Sequence, residues 1–194
     1  MSDSQTMRSI AQLVRPGSRV LDLGCGDGEL LAHLRDNFAV TGYGLEIDED
    51  KINACVARQV NVIQQNLNDG LSNFGDNSFD SVIMTQALQA VEKPDKLLRD
   101  MLRVGKQAII TFPNFAHWPN RLSILKGRMP VTKRLPYQWY DTPNIRVGTF
   151  ADFRILAEKN GLRILDAFGL HEGEVVRHAP NLRASTAVFK FERG

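Results

Sequence analysis

Apolar and polar positions along the 194-residue chain fall into two rhythms that take turns, and their alternation predicts an α/β fold. Residues 5–15 place Met7, Ile10, Ala11 and Val14 on one helical stripe, closed by the turn pair Pro16-Gly17. A short apolar strand, Arg19-Val-Leu-Asp-Leu23, then runs straight into glycines, and a helix over 29–37 follows. A second strand over 39–45 ends at Glu46, and Asp48 is placed to cap a helix over 49–58 whose first turn carries Glu49 and Asp50. Strands at 60–65 and 79–84, a helix from about 95 to 103 and the strand 107–111 continue the pattern. Thr149-Phe-Ala-Asp152 reads as a capping box opening a helix that stops at Asn160-Gly161, and strands near 162–168 and 185–192 bring the count to seven. Strands separated by helices at this spacing imply a parallel, doubly wound sheet with helices on both faces. The length fits a single domain over 1–194.

The rhythm breaks once. Residues 113–148 hold five of the eight prolines, both tryptophans and six Lys or Arg against the single acid Asp141. Ordered segments of that length are usually lids or binding surfaces. Three readings are open here: a cover over a ligand pocket, with Trp118 and Trp139 excluding water; a docking surface for a partner protein; or a solvated basic face over an apolar underside. Arg121, Arg128, Arg134, Tyr137, Trp139 and Tyr140 are of the types that interface hot spots favour, which tips the balance toward docking.

Composition narrows the class without changing this picture. Hydrophobic residues at 43% and charged residues at 24% are ordinary for a soluble globular protein, and no apolar run approaches the roughly 20 residues of a membrane span. A net charge of +2 argues against a nucleic-acid partner. Met1 to Met7 lacks the basic start and apolar middle of a secretory signal, so a cytoplasmic location is expected. The two cysteines make neither a disulfide framework nor a zinc site, and no metal is expected; Cys55 reads as a helix-face residue.

Candidate chemistry concentrates in the loop Asp22-Leu-Gly24-Cys-Gly26-Asp-Gly28. An open parallel sheet binds ligands outside the carboxyl ends of its strands, and the first strand-to-helix turn is that place. Gly24, Gly26 and Gly28 permit positive φ and close approach of the backbone, and the helix after them points free N–H groups at the ligand. Cys25 reads as a small residue that fits beside the ligand. Asp22 lies where it can hold a ligand ammonium, directly or through water. Glu46, with its neighbour Ile47, lies about 20 residues after the loop, where a carboxylate accepts both hydroxyls of a ribose. The spacing is G-x-G-x-G with an acid two positions before it, not the dinucleotide fingerprint G-x-G-x-x-G. An acid so close would repel a pyrophosphate and suits a zwitterionic amino acid, which favours S-adenosylmethionine (SAM) or S-adenosylhomocysteine (SAH). A tight turn with no ligand would explain the glycines but not the two carboxylates. Asn66 and Leu67, past the third strand, are expected to flank the adenine, and Gln86, after the fourth, to face the methionyl end.

With these residues in view, the chain resembles the class I SAM-dependent methyltransferases over nearly its whole length, with Asp76-Asn-Ser-Phe-Asp80-Ser-Val-Ile-Met similar to their fourth-strand motif. Within them it is most similar to the MetW family of methionine-biosynthesis proteins. That likeness rests on Thr85-Gln86-Ala-Leu-Gln89-Ala-Val91, Phe112-Pro-Asn114-Phe-Ala-His117-Trp118, Gly127-Arg-Met-Pro-Val-Thr132 and Leu135-Pro-Tyr-Gln-Trp139-Tyr-Asp141-Thr-Pro-Asn144-Ile. The resemblance implies the Rossmann-like, seven-stranded form of the sheet, mostly parallel with an antiparallel edge strand. It also implies a role in methionine biosynthesis beside a homoserine O-acyltransferase, with the SAM site serving to sense or bind while the partner acylates homoserine. The alternative is a methyltransferase acting on a small molecule. Three departures from the methyltransferase pattern bear on that choice: Asn66 stands where Asp is common, Gln86 to Val91 contains no histidine, and only Gly105 remains of the glycine-rich turn before the fifth strand.

Methyl transfer from a sulfonium needs chiefly a nucleophile held in line, so absent acid–base residues do not exclude it. His117 is the best-placed candidate base, although a histidine anchoring the 113–148 segment by hydrogen bonds explains it better. His33, His171 and His178 read as surface or packing residues. Asn114 lies after the fifth strand, whereas the similar Asn-Pro-Pro-Tyr signature of amino-group methyltransferases belongs after the fourth, so that likeness is accidental.

Overall fold

The computed structural model describes residues 2–194, with side chains from Gln5 onward. Fifteen elements alternate along it: α1 (Ser2–Ala11), β1 (Arg19–Leu23), α2 (Glu29–Phe38), β2 (Thr41–Glu46), α3 (Glu49–Ala57), β3 (Val62–Gln64), β4 (Phe79–Thr85), α4 (Pro94–Val104), β5 (Gly105–Pro113), α5 (Trp118–Leu125), α6 (Phe150–Lys159), β6 (Leu162–His171), β7 (Glu174–Val176), α7 (Pro180–Arg183) and β8 (Thr186–Arg193).

All strands share one sheet in the order β3-β2-β1-β4-β5-β8-β6-β7. The first five are parallel, β8 runs antiparallel between β5 and β6, and β7 is an antiparallel edge strand. The sheet therefore has eight strands where the sequence pattern predicts seven. The extra strand is three residues long, folded back on β6 around Glu172-Gly173, and too short to show a period.

Period-2 alternation buries both faces. Leu21 and Leu23 of β1, Val82 and Met84 of β4, and Ala108, Ile110 and Phe112 of β5 pack into the core under α4 and α6. Their neighbours Val20, Ile83 and Ile109 pack into a second core under α1, α2 and α3. The stripe predicted over 5–15 is used as expected, with Ile10, Ala11 and Val14 buried, although α1 itself ends at Ala11. Both predicted caps form: the Asp48 carboxylate accepts the amides of Asp50 and Lys51, and the Thr149 hydroxyl oxygen accepts the amide of Asp152.

Between β5 and α6 the 113–148 segment contains one helix, α5, and otherwise turns. Its ends are pinned by Asn114, which is 1% exposed. The Asn114 Nδ2 donates to the carbonyls of Pro180, Asn181 and Ala184, the shortest at 2.8 Å, while Oδ1 accepts the amides of Ala116 and Phe150 at 3.3 and 3.1 Å. The far end folds back over the 3-10 turn Leu88–Ala90, where the amides of Ile145 and Arg146 both donate to the Gln89 carbonyl at 3.0 Å. No helix among the described residues is long and apolar enough to cross a membrane, and none of them form a cluster of three or more metal-ligating side chains.

Candidate cofactor-binding site

The chain runs outward from β1 to β3 and then returns to β4 on the other side of β1, so the strand order reverses between β1 and β4. Outside the carboxyl ends of these strands lies a cleft of about 430 Å³. Gly24, Gly26, Glu46, Ile47, Asn66, Leu67 and Gln86 line it, each at or just past a strand end. Leu45, Lys51, Gln65, Asn68, Thr85, Ala87, Ala90 and Val91 complete the wall, and none of them is among the ligand-binding residues expected from the sequence. Lys51 sits three residues beyond Asp48 in the first turn of α3, a spacing that puts it on the cap's side of the helix, and this is the signal that would have found it.

The three loop glycines do different work. Gly24, Gly26 and Gly28 all have positive φ, at 69°, 59° and 78°. A Cβ on Gly26 would meet nothing within 4 Å, so this glycine faces open space in the cleft. A Cβ on Gly28 would meet the Cys55 sulfur at 3.0 Å and Val60 at 3.3 Å; Gly28 is the N-cap of α2 and sits behind the cleft, against α3.

Glu46, 7% exposed, is heavily bonded. Its Oε2 accepts the Gly26 amide at 2.9 Å, and Oε1 accepts the amides of Ile47 and Asp48 at 2.9 and 3.1 Å. A carboxylate offers about four lone-pair sites, so one remains for a ligand hydroxyl rather than the two expected. Glu46 is thus also the residue that ties the glycine loop to β2.

Asp22 is 1% exposed, and neither carboxylate oxygen has a hydrogen-bond partner among the described residues. Burial, and secondarily the Glu46 charge, push its carboxyl up to about 7. It does not line the cleft wall but sits one layer behind it. Cys25 is buried with its sulfur 3.8 Å from that of Cys55, and burial pushes its thiol up, which holds it protonated. Cys25 lines a smaller adjoining pocket of about 190 Å³ that shares Thr85 and Gln86 with the cleft.

Gln86 carries backbone strain, with φ at 54°. Its amide and Nε2 both reach Thr111, the Nε2 donating to the hydroxyl oxygen at 3.1 Å. The Asn66 Oδ1 caps the following 3-10 turn through the Asn68 amide at 3.0 Å, leaving one lone pair free. His117 lies elsewhere. It is the N-cap of α5, 7% exposed, with its ring centroid 4.8 Å from that of His171, and it lines neither the cleft nor the adjoining pocket. Burial, then the His171 charge, lowers its pKa. His33 and His178 sit at the surface, the former beside Asn37.

A buried carboxylate with no partner among the described residues, an open glycine face and a carboxylate with one acceptor site left at the second strand end fit a ligand bearing an ammonium and a ribose. Fold and cleft together define a class I SAM-dependent methyltransferase fold. The sequence profile of the family described as "Methionine biosynthesis protein MetW" matches residues 4–191, and the chain belongs to that family. It is 40% identical over 199 residues to the bifunctional methionine biosynthesis protein MetXA/MetW of Rhodopirellula baltica, covering 95% of this chain but only 32% of that protein. Among solved structures it is similar to the putative methyltransferase in complex with the Haloferax volcanii Trm112 methyltransferase activator, with a TM-score of 0.73 at 17% identity over 98% of this chain and 91% of that one. It is also similar to the [4+2]-cyclase SpnF, at TM-score 0.70 and 17% identity over 97% and 80% of the two chains. At such identities the likeness shows the fold alone.

Proposed function

We propose that this chain binds SAM or SAH in the cleft and acts beside a homoserine O-acyltransferase in methionine biosynthesis, docking to it through residues 113–148. The observation that carries this reading is the bifunctional relative, in which a MetXA part and a MetW part share one polypeptide. Two activities joined in one chain work at enforced proximity, and separate chains need a surface to achieve the same. The 113–148 segment offers one, exposing Trp118, Leu125, Trp139 and Tyr140, the last three at 81%, 73% and 71% in that order.

In the cleft, the free lone pair of Glu46 takes a ribose hydroxyl and Asn66 with Leu67 flanks the adenine. Gln86 faces the methionyl end, where the ligand ammonium reaches Asp22 through a water, since Asp22 lies behind the wall. Titration calorimetry with SAH tests the pocket: Glu46→Ala should weaken binding by roughly 1–3 kcal/mol, the scale of lost charged hydrogen bonds. Unchanged affinity would place the ribose elsewhere.

The second reading, a small-molecule methyltransferase, is favoured by the pocket of about 190 Å³ that adjoins the cleft at Thr85 and Gln86, where an acceptor would lie next to the methyl donor. Incubation with methyl-labelled SAM and a metabolite extract separates the two. Repeated turnover of label into a small molecule establishes the enzyme, and none retires it.

A further inference from the structure

A second cavity, of about 230 Å³, lies on the opposite side of the 3-10 turn Leu88–Ala90 and shares no lining residue with the cofactor cleft. It is far larger than the roughly 10–15 Å³ a single water needs, yet below the roughly 300 Å³ at which pockets for drug-sized ligands begin. A ligand that fills it would therefore be a small molecule. Phe112, Phe115, Leu135, Phe153 and Leu156 make most of the wall apolar. Two charges of opposite sign line it as well, Arg146 and Asp152. They form no ion pair with each other. The Arg146 guanidinium donates only to backbone carbonyls, those of Ile145 at 3.1 Å and Glu92 at 2.9 Å, and has no carboxylate partner among the described residues. Asp152 accepts the Thr149 hydroxyl at 2.7 Å and has no cationic partner among them.

An anion alone would meet the charge of Asp152, and a cation alone that of Arg146. A zwitterion complements both, and an apolar tail complements the wall. We propose that this cavity binds a free α-amino acid with an apolar side chain, its carboxylate on Arg146 and its ammonium on Asp152. The site goes beyond the cofactor reading and is connected to it: Gln89 lines the cavity and donates from Nε2 to the Gln86 carbonyl at 2.6 Å, and Gln86 lines the cleft.

Calorimetric titration of the whole chain with L-methionine and L-leucine tests this, with pentylamine and pentanoate as half-charged controls and with or without saturating SAH. Saturable binding of an amino acid is expected, at least tenfold weaker for each control. Arg146→Gln should weaken it at least tenfold while leaving SAH affinity unchanged. Should circular dichroism show that variant unfolded, Asp152→Asn, which keeps an acceptor for Thr149, replaces it with the same expectation. Absence of saturable binding, controls that bind equally, or affinity that the variant leaves intact overturns the proposal. So does competition between the amino acid and SAH, which would put the amino acid in the cofactor cleft. SAH binding without amino-acid binding sinks this inference alone, and the reverse sinks only the cofactor reading.

Discussion

A carboxylate that is 1% exposed and has no hydrogen-bond partner among the described residues costs the folded chain stability whenever it is ionised. Asp22 has an ordinary value of 3.8 and a folded value of about 7. Below 3.8 it is protonated folded or unfolded; between the two values the folded chain keeps a proton that the unfolded chain releases. Its contribution to stability therefore falls as pH rises from about 4 to 7 and is lost above that. Asp22→Asn should flatten this part of the pH dependence and raise stability at pH 8 by roughly 1–3 kcal/mol, read by urea unfolding. Equal pH slopes for the two proteins would show that Asp22 is solvated or paired. The same proton links to the ligand. An ammonium near Asp22 favours the ionised form, so SAH should bind more tightly as pH rises through about 7, with proton release visible in buffers of different ionisation enthalpy. Pairs of glycines make a second contrast. Gly28→Ala meets the Cys55 sulfur at 3.0 Å as well as an unfavourable φ, and should cost about 1–3 kcal/mol of stability. Gly26→Ala meets open space, so its cost should stay near 1–2 kcal/mol while SAH binding is lost, because the new methyl projects toward the ligand.

Among the elements, the join between β5, α6, α7 and β8 hangs on Asn114. Replacing it by Ala removes bonds to five residues and strands one buried carbonyl, that of Ala184, and two buried amides, those of Ala116 and Phe150; it should cost about 2–4 kcal/mol without touching the cofactor cleft. Urea midpoints and SAH affinity measured on the same variant check both halves. This clamp was not legible beforehand, since its partners lie up to 70 residues away. β1, β4 and β5 were legible as short apolar runs, with glycines after β1 and Gly105 and Pro113 at the ends of β5 as further marks. β3, predicted over 60–65, pairs only at 62–64, where its register with β2 is set by the sheet rather than by its own sequence. Helices α5 and α7 escaped because eight and four residues carry no stripe. The insertion of β8 between β5 and β6 is a tertiary fact with no local signature. The cleft was readable to the extent that the residues lining it sit at strand ends, which the pattern locates. Asp22 does not line it because side-chain direction at a strand end depends on the loop that follows, and Gly28 does not because it packs against Cys55 and Val60.

For the whole molecule, the uneven surface matters most. Eleven of the seventeen large hydrophobic side chains that are exposed among the described residues fall within 113–148. Scattered exposed apolar groups need no explanation, but a concentration of them on one basic segment is what the proposed docking role requires. Leu125→Ser with Trp139→Ala should leave stability within about 0.5 kcal/mol and SAH affinity unchanged, since both side chains are mostly in solvent. Co-elution with the acyltransferase on size exclusion should be lost. The central claim is tested most directly by the rate of homoserine acylation, measured with the acyltransferase of the same organism alone, with this chain, and with the double variant. The account predicts a rate that changes on adding the chain, saturates at a fixed ratio of the two proteins and responds to SAH, with the double variant inert. A rate that stays the same across a full range of chain and SAH concentrations would contradict it.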